Sequence, residues 1–151
     1  EVESFIAEHD KVFVIEQIAS NEVIRFISYV GKQHPIHCTA NGKAHLSMLP
    51  RAEAMALLEG PLEIFTPRTM TTAEAVMADV DARRDEGIYE DTGEYSEEAR
   101  AMAVPLPRIG DSDFAISIAM PASRFDRYKG DLRAALISVR NKVIVEYGKS
   151  I

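Results

Sequence analysis

The chain has 151 residues, 46% of them hydrophobic and 27% charged, which is the composition of one folded domain and excludes a disordered segment. Its net charge of −7, without a Lys/Arg stripe, excludes DNA binding by this segment alone, because that needs a basic face. A single cysteine, Cys38, excludes an internal disulfide, and no apolar run is long enough to span a bilayer, so we expect a cytoplasmic protein with no membrane partner.

The first two segments of the chain predict a β-hairpin. Residues 2–7 and 11–18 have strand-like patterns, and His9 and Asp10 between them suit a tight turn. Residues 12–15 are continuously apolar, which predicts an inner strand buried on both faces. Residues 23–30 are apolar but irregular, and their pattern predicts neither a helix nor a strand.

Two short helices follow the hairpin. Thr39 is a good N-cap for a helix whose apolar side holds Leu46 and Leu49 and which ends at Pro50. Residues 51–58 predict the second helix.

The middle of the chain predicts a short strand and a third helix. Residues 62–65 have a strand-like pattern. Thr71 and Glu74 form a capping box that starts a helix, and Gly87 is a good C-cap for it. Residues 90–94 form a polar stretch that we interpret as a loop.

The last third of the chain predicts a second hairpin and a final helix. Residues 101–106 and 114–120 alternate as two strands, and a helix begins near Asp126. Strands, then helices, then strands and a helix predict a single α+β domain, in which a largely antiparallel β-sheet is flanked by α-helices.

Small and bulky side chains alternate along these last two strands. Because side chains alternate across a sheet, the small sets line a hollow if they share one face. The alternative is that small residues let a helix pack close to the sheet. A buried Ser117 hydroxyl needs a partner, which favours a polar ligand. The small sets are Ala101 and Ala103 on one strand, and Ala115, Ser117 and Ala119 on the other.

A second candidate site is the start of the first helix, residues 39–43. Unpaired N–H groups and the positive end of the helix dipole suit a carboxylate or phosphate there, and Gly42 allows close backbone approach. The alternative is an ordinary capped helix. Asp91, taken alone, is a solvated loop acid.

Metal binding and nucleophilic catalysis are not favoured. His34, His37 and His45 lie near Cys38, but Pro35 argues against a regular helix that would bring them together. His37 directly precedes Cys38, and neighbours in sequence rarely face each other. We therefore assign no cofactor, no metal ligand and no catalytic residue.

Three linked motifs carry a family resemblance. Residues 31–44, GKQHPIHCTANGKA, resemble the G-x-x-x-P-x-H-x-T-A-x-G-K-A signature of IclR-type bacterial transcription regulators. Residues 87–100 resemble that family's G-Y-x-x-D-D-E-E … G-x-R segment, and residues 115–124 resemble its A-l-S-v-x-x-P-x-S-R segment. Order and spacing agree over almost the whole chain.

The resemblance implies a GAF-like fold and a role in transcription regulation. Residues 1–151 are then a C-terminal effector-binding domain, and the N-terminal winged helix-turn-helix DNA-binding domain is absent from this chain. We interpret the start at Glu1, without a methionine, as that of an excised fragment. The resemblance also implies a homodimer or homotetramer that contacts DNA only through the absent domain.

The same resemblance assigns site residues. In the family, the ligand carboxylate meets backbone N–H groups at the start of the TAxGKA helix, and a carboxylate of the D-D-E-E segment lines the pocket. The position after the R of G-x-R and the S-x-S pair of the last strand also line it. The ligand-binding residues matched in this way are Thr39, Ala40, Asn41, Gly42, Asp91, Ala101, Ser117 and Ala119, to which we add Val23 and Phe26.

Departures from the family pattern predict the size of the ligand. Ala101 stands where the family often has Cys, Ala119 stands where it has a second Ser, and Met120 stands where Gly is common. Loss of the thiol and the hydroxyl makes the pocket larger and more apolar than in members that sense glyoxylate or pyruvate. We therefore expect a small carboxylate effector larger than glyoxylate, aromatic or branched.

Three functions fit these observations. The first is a sensor, in which a small acid docks at the helix start and controls DNA binding by the absent domain. The second is an assembly domain with a vestigial pocket, and the third is a GAF-like enzyme. Because the sequence offers neither a nucleophile with its base nor a metal set, we expect no enzyme.

Overall fold

The structure is a computed structural model that describes residues 2–8, 11–23 and 28–148. Within these ranges the chain forms six strands and four helices. The strands are β1 (Val2–Glu8), β2 (Lys11–Ile18), β3 (Gln33–Pro35), β4 (Tyr89–Asp91), β5 (Ala99–Pro105) and β6 (Phe114–Pro121). The helices are α1 (Ala40–Met48), α2 (Arg51–Leu57), α3 (Ala73–Ala82) and α4 (Ala122–Tyr147).

The six strands form one sheet in the order β3-β2-β1-β6-β5-β4. All pairings between these strands are antiparallel, which confirms the predicted α+β class. Both predicted hairpins, β1–β2 and β5–β6, are present, although the turn at residues 9–10 lies outside the described residues. The two hairpins join through β1 and β6, where Val2 pairs with Ile118 and Ile6 with Phe114.

The alternation of bulky and small side chains along β5 and β6 decides which helix covers which face. Bulky Met102 and Val104 pack with Phe125 and Leu136 of α4 on one face. Small Ala103 and Ala115 lie in the larger core on the other face, where α1, α2 and α3 pack. Small residues on that side let α1 approach the sheet closely.

The second predicted strand is covered on one face only. Val12 and Val14 of β2 are buried in the larger core, whereas Ile15 is 40% exposed. The prediction that this strand is buried on both faces is therefore wrong. An apolar run reports hydrophobicity, but only the placement of the helices decides how many faces it buries.

Two predicted elements differ from the observed ones because their backbone groups form hydrogen bonds that the sequence did not indicate. Residues 62–65 form no strand, since His37 Nε2 donates to the Glu63 carbonyl at 2.9 Å and the Phe65 N–H donates to Thr69 Oγ1 at 3.0 Å. The last helix begins at Ala122 and not near Asp126, because the Ala122 N–H already has the Glu98 carbonyl as its acceptor at 2.8 Å.

The caps of α3 are also shifted from the prediction. The N-cap is Thr72, whose hydroxyl accepts from the Ala75 N–H at 3.2 Å, so the box of Thr71 and Glu74 does not form. The C-cap is Arg83, and Gly87, with φ of +67°, lies beyond it in the turn that leads to β4. Two residues of the predicted loop, Glu90 and Asp91, form β4 together with Tyr89, and this three-residue strand pairs with β5.

A buried lysine connects α1 to α3 and to the segment around β4 by hydrogen bonds. The Lys43 side chain has no exposed area, and its ammonium donates to Asp79 Oδ2 at 2.8 Å, Glu94 Oε1 at 2.7 Å and the Glu90 carbonyl at 2.9 Å. These three acceptors use all three N–H groups of the ammonium. Burial alone raises the pKa of Asp79, but hydrogen bonds and charge from Lys43 and Arg83 outweigh it and hold that pKa below its usual value. Lys43 therefore joins α1 to α3 and to the segment around β4.

Replacement of Lys43 by Met is expected to lower the free energy of unfolding by about 3–5 kcal/mol, because it leaves the buried Glu94 carboxylate without its cation. Urea unfolding at neutral pH measures this loss. Lys142→Met, at an exposed position of α4, is the matched control and should change the free energy by less than about 0.5 kcal/mol. Similar values for the two variants would contradict this account of Lys43.

Candidate functional site

A cavity of about 230 Å³ lies between the start of α1 and the small-residue face of β5 and β6. At liquid density that volume corresponds to about eight water molecules. Seven of the residues predicted for the ligand site line it: Thr39, Ala40, Asn41, Asp91, Ala101, Ser117 and Ala119. Residues 39–41, β4, β5 and β6 thus meet at one place.

Some of the small residues of β5 and β6 allow a helix to pack closely on the sheet, and others line the hollow. Ala103 and Ala115 are buried under α1 and allow its close approach. Ala101 and Ala119 are direct cross-strand partners that line the cavity. The hollow forms at this pair, where two methyl groups leave the space that larger side chains would fill.

The start of α1 contributes residues to the cavity lining, and two of them have no acceptor in the helix for their backbone N–H groups. Thr39 Oγ1 accepts from the Gly42 N–H at 3.1 Å and donates to the Pro35 carbonyl at 2.6 Å. The Lys43 N–H donates to the Thr39 carbonyl at 3.0 Å. In the first helical turn this leaves the N–H groups of Ala40 and Asn41 without an acceptor in the helix.

Gly42 has a packing role instead of a place in the cavity lining. A Cβ at this position would overlap the backbone of Ile36, so only glycine fits there. Its N–H is already used by the Thr39 cap. The expectation that a ligand meets the Gly42 N–H is therefore corrected: the close backbone approach that glycine permits is to Ile36.

Asp91 is buried, with 4% of its surface exposed, which rules out the solvated loop acid. Its Oδ1 accepts from the N–H groups of Gly93 at 3.0 Å and Glu94 at 2.8 Å. Burial raises the pKa of Asp91 to about 6, the nearby Glu94 carboxylate adds to the rise, and the two N–H bonds and Lys43 oppose it. Asp91 therefore takes up a proton just below neutral pH.

Half of the residues that line the cavity are not among the predicted site residues. His34 contacts the rings of Phe5 and Tyr95, at centroid distances of 5.4 and 5.7 Å. Burial, together with the charge of Lys32, lowers the pKa of His34 to about 4, so its ring is neutral at pH 7. The missed lining residues are Ser28, Lys32, His34, Tyr95, Ser96, Ala99 and Arg100.

One of these residues had a signal in the sequence. Arg100 is the arginine of the G-x-R motif, and its Nη1 donates to the carbonyls of Glu97 and Ala99. Lys32 and Tyr95 lie inside two of the motif segments, but at positions that the signatures leave unspecified, and Ser28 lies outside all three segments.

Val23, besides Gly42, is a predicted site residue that does not line the cavity. Val23 is 97% exposed and lies beside a separate surface groove with Pro121 and Ser123, so its assignment to the pocket is corrected. Its segment follows β2 without entering the sheet. Phe26 lies outside the described residues.

The alternative chemistries find no support in the described part of the chain. No group of three or more His, Cys, Asp or Glu side chains there lies close enough to hold a metal ion. Burial raises the pKa of the Cys38 thiol far above its usual range, which disfavours the nucleophilic thiolate. Among the same residues, no helix is both long and apolar enough to cross a membrane.

Comparison with known proteins agrees with the fold and the motifs. The family model described as "Bacterial transcriptional regulator IclR C-terminal" matches residues 2–143. The HTH-type transcriptional regulator KdgR of Escherichia coli K12 is 32% identical over 144 residues, covering 93% of this chain and 55% of that protein. The chain spans about half the length of the curated relatives it matches.

Solved structures show the same architecture. The crystal structure of the C-terminal domain of E. coli KdgR has a TM-score of 0.79 at 27% identity and covers 97% of this chain and 87% of that one. An IclR homolog from Microbacterium hydrocarbonoxydans, complexed with 4-hydroxybenzoate, has a TM-score of 0.78 at 21% identity and covers 95% and 60%. These similarities confirm the resemblance and the GAF-like fold.

Gly42→Ala is expected to lower the free energy of unfolding by about 1–3 kcal/mol or more, because the new methyl group overlaps the Ile36 backbone. Chemical denaturation measures the change. Gly130→Ala is the control: this glycine lies in exposed α4 with open space around it, and alanine there should stabilise by about 0.5–1 kcal/mol. A neutral Gly42→Ala would refute the packing role.

Asp91→Asn is expected to stabilise the ligand-free domain in a pH-dependent way. Because the pKa of Asp91 is higher in the folded than in the unfolded state, its favourable contribution exists at low pH and is lost as the pH rises through about 6. An asparagine side chain keeps the Oδ1 acceptor and never ionises. Its advantage should be near zero below about pH 3.5, where Asp91 is protonated in both states, and grow to at most about 3 kcal/mol at about pH 8.

Urea unfolding of both proteins across that pH range measures the advantage of the Asp91→Asn variant over the parent protein at each pH. Asp111→Asn, in the exposed loop before β6, is the control and should give a flat difference. A flat difference for Asp91→Asn as well would show that this carboxyl is not destabilised by burial.

Proposed function

This chain belongs to the IclR family of bacterial transcriptional regulators, as their effector-binding C-terminal domain, and from that premise we propose that its cavity binds a small carboxylic acid. One observation carries the proposal: the two first-turn residues of α1 whose N–H groups lack an acceptor in the helix, Ala40 and Asn41, both line the cavity. A carboxylate that accepts from these groups lies at the positive end of the helix dipole.

The charges around the cavity support an anionic ligand. Lys32 and Arg100 are the cationic side chains among the lining residues, and Asp91 is the acidic one. Because burial raises the pKa of Asp91 to about 6, its repulsion of an anion weakens as the pH falls toward that value. Acid binding should therefore be tighter at about pH 6 than at about pH 8.

The size of the cavity supports an acid larger than glyoxylate. Ala101 and Ala119, two of the three departures from the family pattern, face each other across β5 and β6 and line the hollow. The space of about eight waters exceeds what a two-carbon acid fills. An aromatic or branched carbon framework would use it, and the solved IclR homolog complexed with 4-hydroxybenzoate is a protein of this fold that holds an aromatic acid.

We infer that the bound acid controls DNA binding by an N-terminal winged helix-turn-helix domain, which lies outside this sequence. The net charge of −7 supports this assignment, because an acidic domain suits binding of the effector while another domain contacts the DNA phosphates. A homodimer or homotetramer stays a prediction. The curated relatives are transcriptional regulators and not enzymes.

Thermal unfolding of this chain against small carboxylic acids at about 5 mM tests the proposal. An acid with a Kd of about 50 μM would stabilise the fold by about 2.7 kcal/mol, which raises the Tm by about 5–10 °C for a domain of this size. Neutral amides of the same acids should give no shift, because they lack the charge that α1 binds. No shift with any acid would favour the assembly domain.

Asn41→Asp tests the location of the acid. It places a negative charge at the N-terminal turn of α1, where the carboxylate would lie, and should weaken acid binding by about 10- to 100-fold. Asn141→Asp, the same change at an exposed position of α4, is the matched control and should bind acids normally. Equal affinities for the two variants would exclude docking at α1.

A further inference from the structure

Four polar side-chain atoms at the cavity are buried without a hydrogen-bond partner among the described residues. They are Ser28 Oγ, His34 Nε2, Asn41 Oδ1 and Ser117 Oγ, and all four residues line the cavity. Buried polar atoms are nearly always paired in folded proteins, so each unpaired atom needs an explanation. Their convergence on one cavity indicates that its occupant supplies the missing partners.

These atoms belong to three separate segments of the chain that meet at the cavity. Asn41 stands at the start of α1 and Ser117 on β6, with exposures of only 4% and 1%. Ser28 and His34 come from the segment around β3. An occupant that pairs with all four atoms must offer polar groups to three different segments.

A carboxylate alone cannot supply all four partners. Its oxygens only accept hydrogen bonds, so they suit the hydroxyls of Ser28 and Ser117, but Asn41 Oδ1 is itself an acceptor and needs a donor. A hydroxyl group both donates and accepts. It therefore suits the Asn41 amide in either orientation, the neutral His34 ring in either tautomer, and the hydroxyls of Ser28 and Ser117.

We propose that the effector is a hydroxylated carboxylic acid, with hydroxyl groups on at least two carbons beyond its carboxylate, one of them bonded to Ser117 and Asn41. This inference rests on the proposed function, which places the carboxylate at Ala40 and Asn41. The methyl groups of Ala99, Ala101 and Ala119 then contact the carbon framework, which is a ring or a chain. A hydrocarbon framework would leave the four polar atoms buried and unpaired.

Two matched pairs of acids test the inference on the 151-residue chain. Quinate is compared with cyclohexanecarboxylate, and gluconate with hexanoate, because each pair shares a carbon framework and a carboxylate and differs in hydroxyl groups. Calorimetric titration should give at least about tenfold tighter binding for the hydroxylated member of a pair, the gain expected from one or two additional hydrogen bonds.

The outcomes separate this inference from the proposed function. Equal or tighter binding of the plain acids would overturn the inference and leave the carboxylate sensor intact. If the hydroxylated acids bind no better than their parents while other acids raise the Tm, the inference also falls. If no acid of any kind binds, the proposed function fails and the inference fails with it.

Ser117→Ala gives a second test that does not depend on the choice of framework. It removes a buried unpaired hydroxyl, so the ligand-free Tm should stay the same or rise. Binding of the preferred hydroxylated acid should weaken about tenfold, while binding of its plain parent should not change. Ser138→Ala, at an exposed position of α4, is the matched control. An equal loss for both acids, or no loss, would overturn the assignment.

Discussion

The hydrogen bonds of the buried Lys43 ammonium are the contacts on which the geometry of the site depends. Their acceptors belong to α3 and to the segment around β4, and lie 36 to 51 positions further along the chain. A buried charge is tolerated only when its partners are in place, so α1, α3 and β4 must assemble together. The hydrogen bond from Lys43 to the Glu90 carbonyl fixes the position of β4, which ends at Asp91. Lys43 itself lies in α1, close in sequence to the residues Ala40 and Asn41 that line the cavity.

The contacts of Lys43 continue around an edge of the sheet. Asp79 also pairs with Arg83 at 3.1 Å, Arg83 lies 3.6 Å from Glu90 Oε1, and Glu90 Oε2 lies 3.3 Å from Lys129 of α4. Since β4 is the last strand in the described sheet order, these charged groups surround an edge that would otherwise be open to another strand. They also connect the helices on the two faces of the sheet.

Around this framework the cavity departs from the packing rules that the rest of the domain follows. The core under α1 is filled by apolar side chains, whereas a few residues away the pair of Ala101 and Ala119 leaves a hollow. Polar atoms at that hollow have no hydrogen-bond partner among the described residues, and such atoms cost stability unless something else pairs with them. Such local violations are typical of a binding site, because the missing contacts are those that a ligand supplies.

The sequence by itself determined the local structure and, through three motifs, most of one wall of the site. Alternation of side chains predicts the two hairpins, and Thr39 marks the start of α1, because both signals depend on residues close in sequence. The motifs located Asn41, Asp91 and Ser117. Only the tertiary structure decided that Gly42 packs on Ile36, that Val23 stands in solvent, and that His34 and Tyr95 face the same cavity. These outcomes depend on contacts between distant segments, and spacing within one segment carries no information about which distant side chain it will meet.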